Sequence, residues 1–258
     1  MSQDREVDDV DDADDVAVEA LLAAELSRIL LSADPSSAAP VAITPDAWSA
    51  IVDAAVGYAV GAWLMRSVTR FLNGAGLPPE EVARVADSIV PGAKRQAVTR
   101  VAEAARKTYE STAGAPAKTG LDAEARSDVY RRIRVGSARL ARSQLTAARE
   151  ELRSKMAVGV GAVGKTWRTR KDDRVRLTHG ALEGETVRLD ERFTTEEGFD
   201  LSFPGDPTAP LSETANCRCR LSYLVPASVR AYQPGDSIVQ LTSPEAVHDI
   251  RSERLPAA

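Results

Sequence analysis

One segment limits the possible folds more than any other: the run from Pro45 to Leu72. Trp48, Ile51, Val52, Ala55, Val60, Trp63, Val68 and Phe71 recur at three- and four-residue steps, which places them on one broad stripe of a helix. Thr44-Pro45-Asp46 supplies an N-cap, a proline at the first helical position and an acid in the first turn, and Asn73-Gly74 supplies a stop. A helix this long and this apolar on one side needs other helices to cover it, so it predicts a helical core. Composition agrees. Aromatics make up only 5% of the chain and much of the 43% hydrophobic share is Ala, a residue that costs little in a helix and packs poorly on a sheet.

The rest of the first 157 residues carries the same texture. A stripe of Val18, Leu21, Leu22, Leu26, Ile29 and Leu30 predicts a helix over 16–33 that stops at Asp34-Pro35. Shorter helices are expected from Pro78 to Val90, ended by Pro91-Gly92, and from Ala93 to Thr112. "AGAPAKTG" (113–120) reads as a flexible joint. Residues 121–157 then form one long helical pattern whose apolar line is Val129, Ile133, Leu140, Leu145, Leu152 and Met156. Its remaining face holds Arg126, Arg131, Arg132, Arg134, Arg139, Arg142, Arg149 and Arg153. Such a face is either solvated or a contact for nucleic-acid phosphates or an acidic protein surface.

Charge is unevenly distributed around a net of -5. The acidic run "DREVDDVDDADDV" (4–16) reads as part of a mobile tail over residues 1–15, or as a tail that screens the basic helix or docks on a basic partner. The most membrane-like run, "AAVGYAVGAWLM" (54–65), is shorter than the ~20 residues of a span. The acidic N-terminus is unlike a signal peptide, and two cysteines are too few for a disulfide scaffold. The expectation is a soluble protein made inside the cell.

After Thr166 the pattern changes to short strand-like pieces, "TWRTR", "DRVRLTH", "ETVRLDERF" and "CRCRLSYLV", separated by turns at Glu183-Gly184, Gly198 and Pro204-Gly205-Asp206-Pro207. The prediction is an α+β chain: long helices over 16–157, a Gly-rich hinge over 158–165, a small β-rich module over 166–225, and an extension over 226–258 in which "DSIVQL" (236–241) could add a strand. The hinge contains "GVGAVGKT" (159–166), which matches the G-x-x-x-x-G-K-[ST] phosphate loop as text. A working loop needs a buried strand before it and a helix after it. Here a charged helix precedes and "WRTRKDDRVR" follows, so no nucleotide site is assigned.

The module carries a more specific pattern. Trp167, Thr169, Asp173, Arg174, Val175, Arg176, His179, Gly184, Phe193, Pro204-Gly205-Asp206-Pro207 and Asn216-Cys217-Arg218-Cys219 occur in order. This set resembles the C-terminal signature of the phage Mu F-like, or phage head morphogenesis, family of minor capsid proteins, over about a quarter of the chain. The resemblance implies a non-enzymatic protein of a tailed phage or prophage, made in the bacterial host cytoplasm. It would act inside the virion head near the portal, assisting head assembly, DNA packaging or DNA delivery. Its implied partners are the portal protein and the capsid or scaffold interior, with double-stranded DNA as a possible contact of the Arg-rich helix. The chain is short for that family, with no fused toxin or protease domain.

The residues also speak for themselves. Strand alternation would place Cys217 and Cys219 on one face, and extended i, i+2 positions ~6.7 Å apart with parallel Cβ directions make a disulfide between them unfavourable. His179, Cys217 and Cys219 offer three ligands for a structural zinc, with Asp173 or Asp206 as conceivable fourths. The other reading makes the cysteines small buried apolar groups and His179 a hydrogen-bonded core residue. Asp173, Arg174 and Arg176 fit a charge-assisted tie that holds a hairpin. A metal-dependent nuclease or hydrolase centred on His179, Cys217, Cys219 and Asp173 is the enzymatic alternative.

Overall fold

The computed structural model describes residues 5–7, 12–32, 44–113 and 123–226. The fold is α+β. Four long helices make up most of the first 159 residues: α1 (Asp12–Ser32), α2 (Pro45–Gly74), α3 (Pro79–Ala113) and α4 (Ala123–Gly159). α2 packs most extensively on α3, and α1 on α4. As its stripe predicts, α2 buries Trp48, Val52, Val60, Trp63, Leu64, Val68 and Phe71, while Ile51 falls outside the buried stripe and Tyr58 points to solvent. The Thr44 side chain accepts from the Ala47 N–H, which satisfies one orphan donor of the first turn. By length and composition alone α2 could cross a bilayer. Its apolar stripe is instead covered by the neighbouring helices and by Tyr223.

The expected break at Pro91 does not occur, because α3 runs through it without interruption. A proline inside a helix removes one backbone hydrogen bond and strains the preceding turn, at about 3 kcal/mol. Burial on both sides of it outweighs that cost: Val82, Val85, Ala86 and Val90 before it and Ala97, Val98, Val101 and Ala105 after it all lie in the core.

The C-terminal part contains β2 (Gly164–Arg168), α5 (Leu177–Ala181), β3 (Thr186–Arg188), β4 (Phe193–Thr194), β5 (Asp200–Leu201), α6 (Leu211–Thr214) and β6 (Arg220–Val225). "DRVRLTH" is therefore not a strand: its second half is α5, reached through an Asx turn in which Asp172 accepts from the Arg174 N–H. The 158–165 stretch is not a hinge either. Gly159 ends α4, Gly161 takes a left-handed φ of 71° in a tight turn, and Gly164 and Lys165 are already paired in β2. "DSIVQL", the loop after Asp34-Pro35 and the 114–120 part of the joint lie outside the described residues.

The largest departure concerns the N-terminus. Arg5–Val7 forms β1, which pairs antiparallel with β6 and makes an antiparallel sheet of order β1-β6-β2-β3. Glu6 holds this edge by accepting from Ser222 Oγ (2.6 Å) and from Arg168 Nε (3.1 Å). The helix begins at Asp12, four residues before the expected start. Asp14 pairs with Arg66 (2.5 Å) and Arg70 (3.1 Å) of α2. Asp15 is buried, accepts from the Trp63 indole (3.0 Å) and pairs with Arg149 of α4. Within the described residues, then, the acidic run is a strand and a helix start docked on arginines, not a solvated tail.

Asp15 belongs to a buried charge network. Glu150, fully buried, accepts from Arg149 Nε (2.8 Å), from Arg153 (3.4 Å) and from the backbone N–H of Leu221 in β6 (3.1 Å). Arg153, also fully buried, donates to the Leu221 carbonyl at 2.9 Å. Burial alone would make Arg149 easier to deprotonate, but the carboxylates of Glu150 and Asp15 outweigh it and hold the proton more firmly than usual. Removing one member leaves the others buried and uncompensated, which costs far more than the intact network contributes. Glu150→Ala is expected to destabilise the protein by about 3–5 kcal/mol, read from urea unfolding. A loss below about 1 kcal/mol, the range of an exposed pair, would show that the network does not bind β6 to the helices.

Candidate metal centre

Trp167 sits in β2 with no exposure and organises the module around itself. Its ring meets His179 and Phe193 edge-on, each at 5.2 Å between centroids. The turn at Gly184, which adopts a φ of 80°, closes β2 to β3 and donates its N–H to the Trp167 carbonyl. Beyond β5 the chain turns at Pro204-Gly205-Asp206, all three buried. A Cβ on Gly205 would lie 3.2–3.3 Å from the Ala147 backbone of α4, so only glycine permits this approach at its φ of 80°. Asp206 fixes the turn by accepting from the Ser202 N–H and from the Thr208 N–H and hydroxyl.

The Asn-Cys-Arg-Cys stretch precedes β6 and is not itself in a strand. Asn216 takes a left-handed φ of 57°, which asparagine tolerates better than most residues. Its N–H donates to Ser143 Oγ of α4 (2.9 Å), and Thr146 Oγ1 donates to the Cys217 carbonyl (3.1 Å). Held against α4 in this way, the segment turns both thiols inward. Cys217 Sγ and Cys219 Sγ each lie 3.6 Å from His179 Nδ1, and the three ligand atoms fall within 4.8 Å of one another. Both cysteines are free thiols, and no residue of the three is more than 3% exposed.

This spacing suits a tetrahedral ion. Bonds of about 2.3 Å to sulfur and 2.0–2.1 Å to nitrogen, at the tetrahedral angle, separate the two ligand atoms by about 3.6 Å. The other ring nitrogen, His179 Nε2, lies 3.1 Å from Glu213 of α6, close but off the line of a good hydrogen bond. Glu213 is itself buried and accepts from Thr178 Oγ1 at 3.2 Å. A carboxylate behind a histidine is the usual outer support of a metal ligand, because it fixes the ring and makes the liganding nitrogen more basic. With protons alone, the two thiols behave as one pair. The hydrogen bond from Cys219 holds Cys217 well below the ordinary thiol range against the effect of burial, with further help from His179. Giving that hydrogen bond, and burial, push Cys219 up, while the Trp167 indole and Arg176 pull the other way.

Not every expected site residue joins the cluster. Asp206 is committed to its turn, and Asp173 is exposed, so neither reaches the ligand atoms. Among the described residues no fourth Cys, His, Asp or Glu completes the set. The expected tie through Asp173 and Arg174 is made instead by Asp172, paired with Arg218 at 2.5 Å, while Arg176 donates to the Ala215 carbonyl. Glu213 and Thr178 escaped sequence reading, since no spacing rule links them to a histidine 34 residues earlier in the chain for Glu213 or to a helix read as a strand for Thr178.

The Arg-rich face of α4 is mostly engaged. Arg149 and Arg153 are buried in the charge network, Arg142 pairs with Glu19 (3.1 Å), and Arg131 and Arg132 pair with Asp128. Arg134 and Arg139 are exposed, and the side chain of Arg126 lies outside the described residues. Lys165, the lysine of the apparent phosphate loop, turns into the module. It donates to the Ser202 carbonyl (2.9 Å) and lies 5.4 Å from the centre of the Phe193 ring, and a strand, not a helix, follows the glycines.

No family model, curated protein or solved structure matches the chain.

Burial, followed by the nearby Arg192 charge, lowers the Lys165 pKa to about 8. The fold therefore disfavours the charged form. Between pH 8 and the ordinary value of 10.5 the unfolded chain binds more protons, and stability rises with pH across that window. Below pH 8 the cost is present in full. Unfolding measured at both ends of the window is expected to show a gain of about 2 kcal/mol that Lys165→Met abolishes. An equal pH dependence in the variant would place the titration elsewhere.

Proposed function

We propose that the chain is a minor capsid protein of the Mu F-like, head morphogenesis type, from a tailed phage or prophage. In this reading it is made in the bacterial host cytoplasm and taken into the head interior near the portal, where it assists head assembly, DNA packaging or DNA delivery. The observation that carries the reading is convergence. Residues scattered over the signature, Trp167, His179, Phe193, Pro204, Gly205, Asn216, Cys217 and Cys219, meet in one core or hold the turns that build it. A signature with that property is one that a compact docking module needs, and four long helices joined to it offer extended faces to a portal and capsid wall.

One zinc ion would staple the module, with His179 Nδ1, Cys217 and Cys219 as its ligands and Glu213 behind the histidine. When bound, the ion supplies cross-linking: it ties α5 to the segment before β6, and its binding energy becomes folding energy. Burial of all three ligands supports this role over hydrolysis, since a nuclease centre needs its metal open to a phosphodiester. Asp172 is occupied by Arg218 and Asp173 faces solvent, so neither adds a second acid to the centre.

Protein purified without added chelator is expected to contain one equivalent of zinc by elemental analysis. Its removal should lower Tm by about 10 °C, the shift that ~4 kcal/mol produces in a chain of this size, and Cys217→Ser should lower both metal content and Tm. Metal-free protein of unchanged Tm would remove the staple. Separately, wild-type protein is expected to co-sediment with purified portal oligomers. Failure to do so at low salt would remove the head-interior reading, and metal-dependent DNA cleavage lost in His179→Ala would replace it with the nuclease.

A further inference from the structure

On the outer side of the metal-binding segment, opposite the thiols, lies a cavity of about 370 Å³ lined by Val135, Ala138, Arg139 and Arg142 of α4 together with Arg174, Asn216 and Arg218. The α4 residues follow the i, i+3, i+4, i+7 rule and share one face of the helix. Arg174 comes from the loop before α5, and Arg218 lies between the two cysteines. Four arginines from three separate stretches of chain thus line one cavity. Glu19 offsets Arg142 and Asp172 offsets Arg218. Among the described residues Arg139 and Arg174 have no ion pair, which leaves the cavity with two uncompensated positive charges.

The donor chemistry of the lining points to an anion. Planar guanidinium forks grip a phosphate's oxygens in pairs, and Asn216, an uncharged polar residue, lines the same cavity.

We infer that this cavity is a phosphate-binding site and that its occupant is the phosphodiester backbone of double-stranded DNA. The phosphate chemistry stands on the donor set; the choice of DNA rests on the head-interior reading above. Two features of the lining favour a nucleic-acid backbone over an acidic protein surface. The only apolar residues are Val135 and Ala138, so the site lacks the aromatic or large apolar anchor that carries protein–protein affinity. It also lacks a ring on which a base could stack, so binding is to the backbone and indifferent to sequence.

The test uses the full chain and a duplex of about 20 bp, followed by fluorescence anisotropy from about 50 mM NaCl upward. Arg139→Gln with Arg174→Gln removes the two uncompensated charges. Both side chains are exposed, so the fold, checked by circular dichroism and Tm, should persist. The expected result is a loss of affinity of about ten-fold or more, with the slope of log K against log salt falling by about 2. Arg131→Gln with Arg132→Gln removes the same number of charges, both from α4 and outside the cavity, and is expected to change affinity less than about two-fold. Equal binding by the cavity variant, or an equal loss in the control, would overturn the proposal. Calorimetry with pyrophosphate separates the sources: binding of pyrophosphate lost in the cavity variant, with duplex DNA inert, would overturn the DNA assignment in favour of a free phosphate compound. Portal co-sedimentation of the same samples keeps the two readings apart, since retained portal binding without DNA binding would sink this inference alone.

Discussion

Everything on the C-terminal side depends on the carboxylate of Glu150. It receives the backbone N–H of Leu221, and its neighbour Arg153 grips the carbonyl of the same residue, so one turn of α4 holds both polar groups of a strand residue. β6 lies between β1 and β2, and fixing it fixes the sheet. Arg153 also lies 5.7 Å from the ring centres of Phe71 and Tyr223, which carries the contact from α4 through the strand to α2. Charges this deeply buried gain little net stability over a hydrophobic replacement. What they add is direction, because a carboxylate and a guanidinium satisfy their bonds in one arrangement while apolar surfaces slide. Here that arrangement sets the register of β6 against the helix.

The register matters because the four residues before β6 serve two sides at once. Cys217 and Cys219 face inward to His179, while Asn216 and Arg218 face outward to the arginine cavity. α4 clamps this segment with Ser143 and Thr146 and also contributes Arg139 and Arg142. A shift of the segment by one residue would exchange thiols for donors and dismantle both sides together.

Much of this architecture was legible in the residues and some was not, for physical reasons. α2 and α4 announced themselves because helical periodicity is a local property repeated over many turns. Continuity through Pro91 was not legible, since the proline penalty is local whereas the burial that outweighs it is spread over two partner helices. β1 was hidden inside an acidic run: three residues carry no strand periodicity, and their pairing with residues 223–225 is entirely non-local. The grouping of His179, Cys217 and Cys219 could be read from residue chemistry, but Glu213 could not, because a carboxylate behind a histidine needs no particular spacing from it. The Arg-rich face of α4 was visible as composition, yet which arginines are buried depended on where Asp15, Glu19 and Asp128 came to rest.

The pairing of β1 with β6 also dictates an order of events during synthesis. Residues 5–7 leave the ribosome well before their partners, 223–225, which emerge after more than two hundred further residues. Helices α2 and α3 can associate as soon as they appear, because each packs most extensively on the other, whereas α1 packs mainly on α4 and must wait for it. The first strand must wait for the whole of α4 and the module before it has anything to pair with, and Asp15 must likewise wait for Arg149. β1 therefore spends that interval unpaired in water, where the charges of Arg5 and Glu6 keep it soluble. It is drawn in only as β6 arrives, so the pairing of β1 marks the completion of this sheet.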